Sequence, residues 1–330
     1  MNGVLARFTK KNSREITTAV ALVLVILIFS LLNSRYMEYD NLIDIIQQGT
    51  VNGFLAMGIT VAIITAGIDL SVGSTMAVVL VACAMLSASN FNPVLTIIIG
   101  IVIGAFIGVV NGFIITKMKL QPFIATLGMM EMLRGVAYVI CGGKTVLGVS
   151  DSFRQLFQTE IFRGIRLSMV YMFLLAIIYG IILTKTRIGV YIYAIGSNEE
   201  ATKLSGINVD KYKTIAYAMC GIGAAMAGLV TMARLGTGEP SAGVSYETMA
   251  IAAAAIGGTS LAGGKGSMSG TVLGAFTLSA LRIGLIVIGM DTFYQYIAIG
   301  LIILVATYIE NLQVIVVKLF KKIFHKKVEK

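Results

Sequence analysis

A stretch of 47 residues without a single charge, residues 70–116, constrains the fold of this chain more than any other feature. A helix crosses a bilayer with about 20 mostly apolar residues, so this stretch is long enough for two spans. Turn-forming residues at positions 90–93, Asn-Phe-Asn-Pro, divide it near the middle. We therefore expect one transmembrane helix on each side of this turn.

The remainder of the chain shows the same pattern. Charged residues make up 13% of the sequence, against about 25% in soluble domains, so a soluble fold could not cover its surface. Apolar runs of span length recur at residues 16–34, 45–68, 122–141, 167–184, 214–233, 246–261, 270–288 and 293–317. The sequence thus predicts an all-α polytopic membrane protein of about ten transmembrane helices, with residues 1–330 forming a single transmembrane domain.

The charge of the chain follows this layout. The chain has 26 Lys and Arg against 16 Asp and Glu, a net charge of +10 that could indicate nucleic-acid binding. With ten spans, however, 18 of the 26 basic residues fall on one side, mainly in the N-terminal segment, the connector 185–213 and the tail 318–330, and 5 fall on the other. The positive-inside rule then places both termini in the cytoplasm. The charge is explained by a lipid bilayer, and no nucleic-acid partner is expected.

Two stretches share the pattern GxxxGAF, residues 100–106 and residues 270–276, at an offset of 170. Five spans separate the two copies, an odd number, so the copies would run in opposite directions through the membrane. This is the pattern of an inverted repeat of two five-helix halves. The alternative is that Gly and Ala recur wherever transmembrane helices pack closely.

The connector 185–213 contains a short helix with clear end signals. Asn198 is a good N-cap, Glu199 and Glu200 would lie at the positive end of the helix dipole, and Gly206 is a good C-terminal stop. A small apolar stripe would comprise Ala201, Leu204 and Ile207. Such a helix could dock into a groove of another protein. The alternative is an ordinary connector helix that rests on the membrane surface.

Three residues within apolar surroundings are candidates for the translocation pathway or for gating, namely Asp69, Ser71 and Arg282. Asp69 is bounded by long apolar runs, where a carboxylate is expensive. It could instead open the third span as an N-cap, with Ser71 beside it. Arg282 has no acidic partner three or four residues away. It could point into a pore or pair across helices.

Two further pairs suggest local structure. Glu131 and Arg134 are three residues apart and share a helix face, so a structural ion pair is expected, with a substrate contact as the alternative. Ser245 and Glu247 resemble an N-cap and a first-turn acid for the eighth span.

Three segments together resemble one known family. Residues 189–209, 67–73 and 252–266 are similar to the corresponding segments of ABC transporter permeases of the ribose/monosaccharide importer family. The similarity extends from the second span to the tenth. The pair Glu199 and Glu200 departs from this resemblance, because it leaves the second alanine of the family's looser Ala-Ala pattern unmatched.

The resemblance implies half of a membrane pore in the bacterial inner membrane, paired with a second copy or a paralogue. A cytoplasmic ATP-binding subunit would grip the short helix with residues Asn198, Glu199, Glu200, Ala201, Leu204, Gly206 and Ile207. An external sugar-binding protein would meet the outer rim near Glu239 and Pro240.

The expected function is transport rather than catalysis. The sequence contains no GxxxxGK[ST] motif, so no cofactor is expected in this chain and ATP would be bound by the partner subunit. The resemblance implies a monosaccharide substrate, with ribose the first expectation. Other sugars, a furanosyl signal or a nucleoside are alternatives. Two other classes also stay open, an ion-coupled secondary transporter and a membrane scaffold without transport.

Overall fold

The computed structural model describes residues 13–291, 293–295, 297–301 and 304, with side chains from residue 15 onward. Twelve α-helices are bounded there: α1 Ser13–Leu32, α2 Tyr39–Ile64, α3 Val72–Ala88, α4 Pro93–Lys117, α5 Pro122–Ile140, α6 Asp151–Gln158, α7 Leu167–Lys185, α8 Arg187–Ser197, α9 Glu199–Leu204, α10 Val209–Leu235, α11 Tyr246–Ile256 and α12 Met268–Val287. A 3₁₀ turn, Ser34–Met37, joins α1 to α2. Two short strands, β1 Glu160–Phe162 and β2 Ile165–Arg166, form an antiparallel pair between α6 and α7.

The helices confirm the predicted all-α polytopic membrane fold. Six of the described helices are long and apolar enough to cross a membrane, namely α1, α4, α5, α7, α10 and α12. The predicted second span falls on α2, which has 26 residues. The third and eighth fall on the shorter apolar helices α3 and α11. Most of the tenth predicted span, residues 293–317, and the basic tail 318–330 lie outside the described residues.

Burial divides the bundle into a centre and a periphery. Most of α2 is buried, together with α10 and α12. The helices α1, α4, α5 and α7 expose most of their length, and large apolar side chains such as Leu31 (88% exposed) lie on their outer faces. An apolar outer surface of this extent is compatible with a lipid environment rather than water.

The ends of the helices define two ends of the bundle. The C-terminus of α2 meets α8 and the turn 257–267, and we call this the connector end. The α10–α11 loop meets residues 145–146 at the opposite end, which we call the far end. Successive helices alternate between these two ends, as a polytopic bundle requires.

The two GxxxGAF copies occupy corresponding places in the fold. Gly100 of α4 lies against Cys83 of α3, and Gly274 of α12 lies against Ala253 of α11. In each copy the glycine-rich helix therefore packs on the short helix that precedes it. Since α3 runs from the connector end and α11 runs toward it, the two units are inverted, which supports the predicted repeat.

Small residues also allow α4 and α10 to approach closely. A Cβ at Gly104 would overlap the carbonyl oxygen of Gly221, and one at Gly108 would overlap the carbonyl oxygen of Tyr217. Without a hydrophobic driving force between helices in lipid, such close backbone packing is what holds them together.

We predict that Gly108→Ala destabilises the bundle, because the added methyl must push two backbones apart at a cost of about 1–3 kcal/mol. Gly128→Ala on α5 is the matched control, since a Cβ there meets nothing within 4 Å. The control should keep or slightly raise stability, by up to about 1 kcal/mol of helix propensity. Thermal unfolding of both variants in detergent checks this, and equal melting temperatures would refute the packing argument.

Candidate functional site

The short connector helix forms as the sequence predicts. Asn198 is its N-cap, and the Asn198 Oδ1 accepts a hydrogen bond of 2.9 Å from the backbone N–H of Ala201. Glu199 and Glu200 lie in its first turn. Gly206 follows the helix with φ +79°, a conformation that favours glycine. The capping part of the prediction is therefore confirmed.

The connector helix has an inner face and an outer face. Thr202 is buried, and its hydroxyl donates to the Asn198 carbonyl oxygen. Ala201 is exposed, Leu204 is 89% exposed and Ile207 is half-buried. The predicted apolar stripe thus lies mostly on the surface, and an ion pair of 2.6 Å between Lys213 and Glu199 anchors the helix to α10.

The inner side of the connector contacts the end of α2 and the turn between α11 and α12. A Cβ at Gly196 would overlap the carbonyl oxygen of Ile64, the last residue of α2. The same Ile64 oxygen accepts a hydrogen bond of 2.9 Å from Gly264 N–H. The Tyr193 hydroxyl donates to Gly266 O at 2.7 Å, just before α12. A displacement of α8 and α9 would therefore reach α2 and the turn between α11 and α12 directly.

The predicted eighth span, residues 246–261, is wrong as a complete span. The helix α11 ends at Ile256, and the residues after it form a turn in which Gly258, Gly263 and Gly264 have positive φ values. Its 11 residues cover about 16 Å, roughly half of a bilayer core. The apolar run was long enough for a span, but its glycines stop the helix.

A non-helical segment of consecutive turns supplies the missing depth. Residues 236–245, here called the re-entrant segment, start at the far end, where Gly238 pairs with Val146. Gly238 lies against Ala84 and Gly243 lies against Gly73, so the segment runs beside about 16 Å of α3. It ends where the N-termini of α3 and α11 meet, with Glu247 beside Gly73.

Arg134 satisfies the backbone of the re-entrant segment. Its Nη1 donates hydrogen bonds of 2.7 Å to Pro240 O and 2.8 Å to Ala242 O. The expected ion pair with Glu131 is wrong: among the described residues, no ion pair joins them, and Glu131 is exposed. Non-helical backbone inside a membrane needs hydrogen-bond donors from the protein, which explains why the guanidinium points to this segment.

The residues around the start of α11 are also partly corrected. Ser245 occupies the N-cap position, but it has φ +65° and its side chain makes no capping hydrogen bond. Glu247 does lie in the first turn. Near the start of the re-entrant segment, at the far end of the bundle, Glu239 is half-buried and accepts hydrogen bonds from Thr145 and Ser241. Pro240 is buried, whereas Ser241 beside it is exposed.

Asp69 and Ser71 belong to a buried polar cluster before α3. Asp69 Oδ1 accepts from the Ser71 N–H at 2.9 Å and from the Ser71 hydroxyl at 2.6 Å. Asn111 Nδ2 of α4 lies 2.8 Å from Ser71 Oγ and 3.3 Å from Asp69 Oδ2. Ser71 holds the N-cap position of α3, and its side chain makes no capping hydrogen bond. The prediction of Asp69 as the N-cap is therefore wrong, because its carboxylate stabilises the turn before the helix instead. A role of Asp69 in the pathway or in gating stays a prediction.

Arg282 lies in α12 and lines a cavity of about 130 Å³. The other lining residues are Gln48, Val51, Asn52, Arg234 and Tyr246. Of these lining residues, the sequence predicts a functional role only for Arg282. Arg234 could have been found only as a basic residue at the end of an apolar run. Gln48 and Asn52 look like ordinary polar residues of α2, so no sequence signal points to them.

The comparisons with known proteins agree with this architecture. A family model described as "Branched-chain amino acid transport system / permease component" matches residues 41–307. The chain belongs to this permease family.

The similarity to individual members covers most of each chain. The chain is 41% identical over 307 residues to the ribose import permease protein RbsC of Escherichia coli K12, which covers 92% of this chain and 96% of that protein. It is 42% identical to the RbsC protein of Haemophilus influenzae over 88% and 91% of the two chains. It is 40% identical to that of Bacillus subtilis over the same shares. No solved structure matches the chain. The family resemblance seen in the sequence motifs is confirmed.

We predict that Arg134→Gln lowers stability and transport, because one amide donor replaces a charged group that serves two carbonyl oxygens. Leaving a buried carbonyl without its donor costs about 1–3 kcal/mol. Glu131→Gln, on the same helix but exposed, is the control and should behave as the wild type. Melting temperature in detergent and uptake into vesicles measure the effect. Equal behaviour of the two variants would contradict the role given to Arg134.

Proposed function

We propose that this chain is the membrane-spanning permease subunit of an ATP-driven importer for a monosaccharide, with ribose as the first candidate. The observation that carries the proposal is the identity of about two residues in five with ribose import permease proteins over nearly the whole chain. The chain itself would perform no catalysis and hold no cofactor. ATP would be bound and hydrolysed by a separate subunit.

Three partners complete the importer in this proposal: a second permease copy or a paralogue, a cytoplasmic ATP-binding subunit and an external sugar-binding protein. The exposed leucine of α9 supports the second of these. Leu204 is 89% exposed at the end of a well-capped helix that α10 holds through Lys213. An apolar side chain presented on a fixed short helix fits a groove on a partner.

The orientation follows from the charges. The connector end carries most of the basic residues among the loops, so we place it in the cytoplasm together with both termini. The re-entrant segment and the α5–α7 region then face the outside. The sugar-binding protein would meet the far end, where Ser241 is exposed.

The contacts of α8 support an alternating-access mechanism. ATP binding would bring the two ATPase lobes together and shift both connectors with them. Because Gly196 and Tyr193 contact the ends of α2 and α12, this shift would tilt the helices that surround the re-entrant segment. Sugar selectivity would rest mainly with the binding protein, since a tight site inside the pore would slow release.

Uptake in vesicles tests the energy source and the sugar. The complete importer should accumulate ribose in right-side-out proteoliposomes that enclose ATP on the ATPase side, with the sugar-binding protein outside and no ion gradient present. Uptake that needs a gradient instead of ATP would support an ion-coupled transporter. Uptake of a different sugar or a nucleoside, with ribose inert, would keep the transport class and change the substrate.

We predict that Leu204→Glu weakens association with the ATP-binding subunit by about tenfold or more, because a carboxylate would enter an apolar groove. Leu120→Glu is the matched control, since Leu120 is also exposed (41%) and lies in the α4–α5 turn at the same end. Co-purification of the ATPase and ribose uptake provide the two measurements. If both survive Leu204→Glu, the docking role of α9 is wrong.

A further inference from the structure

The cavity beside the start of α11 has an unusual set of side chains for the interior of a helical bundle. Three lining residues, Gln48, Val51 and Asn52, come from α2. Arg234 comes from the end of α10, Tyr246 from the start of α11 and Arg282 from α12. The cavity therefore lies where four central helices meet, next to the point at which the re-entrant segment becomes α11.

The two arginines of this cavity have no acidic partner within the described part of the chain. The ion pairs found there involve Lys117, Arg154 and Lys213. Neither Arg234 nor Arg282 makes a side-chain hydrogen bond to a described residue, and both are half-buried. Two guanidinium groups therefore offer the cavity donors that no described residue uses.

The amide groups of the cavity add an acceptor. Gln48 Oε1 is buried and has no hydrogen-bond partner among the described residues. Asn52 Nδ2 is held by Ser279 Oγ at 3.2 Å, which fixes this amide on α2. The cavity thus combines free guanidinium donors with an unsatisfied amide oxygen.

This combination selects a class of ligand. A cation would be repelled by both arginines, and an apolar molecule would leave every polar group unsatisfied. A carboxylate accepts hydrogen bonds but gives none to Gln48 Oε1, and a phosphate ion at neutral pH has only one or two O–H groups to give. A hydroxyl group both accepts and donates, so a neutral molecule with several hydroxyls satisfies both kinds of group. The volume of about 130 Å³ holds about four waters at liquid density, which is the order of a single sugar ring.

We propose that this cavity is a sugar-binding station inside the permease, where Arg234 and Arg282 donate to sugar hydroxyls and Gln48 accepts from one. This inference rests on the proposed function and adds a site to it. The helix α2 links this station to the connector, on which the ATP-binding subunit is proposed to act. It carries Gln48 and Asn52 toward one end and contacts the connector through Ile64 at the other. Tyr246 likewise begins the helix whose opposite end leads into the turn contacted by Tyr193.

A fluorescence titration tests binding directly, because the sequence contains no Trp. Tyr246→Trp in the full-length permease, reconstituted in lipid nanodiscs, places a single indole in the cavity wall. Ribose should change its emission saturably with roughly millimolar affinity. Tyr138→Trp, exposed on α5, is the control and should not respond. An absent response, an equal response in the control, or a response to inorganic phosphate in place of ribose would overturn the proposal.

A second measurement keeps Tyr246 intact and separates binding from structure. Arg282→Gln in the complete importer should lower ribose uptake by about tenfold, as expected for one charge-assisted hydrogen bond. ATP hydrolysis stimulated by the sugar-loaded binding protein should persist. Arg282→Lys should restore part of the uptake, and Arg35→Gln, an exposed arginine outside the cavity, is the charge-matched control.

The outcomes also distinguish the two proposals. If the wild type imports ribose and Arg282→Gln does so equally well, the cavity proposal fails and the transport function stands. A joint loss of thermal stability and ATPase stimulation would assign Arg282 to structure and overturn the station. If the wild-type importer takes up no sugar, the proposed function fails, and the titration with Tyr246→Trp still decides whether the cavity binds ribose.

Discussion

Backbone groups of a non-helical segment inside a membrane need hydrogen-bond partners from the protein, and Arg134 provides them for the re-entrant segment. Its guanidinium donates to Pro240 O and Ala242 O. With these two carbonyl oxygens satisfied, non-helical chain can lie beside α3 for about half of the bilayer thickness. The short length of α11, and the meeting of its N-terminus with that of α3, both depend on this arrangement.

The short helix α11 gives the bundle a joint at which a displacement of the connector can change the position of a helix. A half-length helix that is joined to a segment of turns can tilt as a unit, whereas a continuous transmembrane helix has no such joint. The connector contacts the last residue of α2 and the turn that follows α11. The cavity with Arg234 and Arg282 lies at the other end of these same helices. In the proposed importer, ATP-driven displacement at one end is therefore transmitted through packed helices to a polar cavity at the other.

Features set by nearby residues were predictable, and features set by distant ones were not. Capping chemistry correctly placed the ends of α9 at Asn198 and Gly206, because both signals are local. The ion pair of Glu131 with Arg134 was wrong, because helix spacing ignores carbonyl oxygens more than 100 residues away in the sequence. Hydropathy gave a full eighth span, since an apolar run of sufficient length does not reveal that its glycines end the helix. The sequence also predicted a role for Arg282 but did not reveal the other cavity-lining residues, which come from α2, α10 and α11.

The distance between the connector and the re-entrant segment tests the central claim, that the two move relative to each other in the transport cycle. Ser197 and Ser241 are both exposed and can be replaced by Cys for spin labelling once Cys83, Cys141 and Cys220 have been replaced by Ala. The distance between the two labels is measured by pulsed electron–electron double resonance on the complete importer with one labelled copy. We expect ATP binding to shift the distance distribution and hydrolysis to restore it. An unchanged distribution in an importer that still hydrolyses ATP and imports sugar would show that the connector and the re-entrant segment do not move relative to each other.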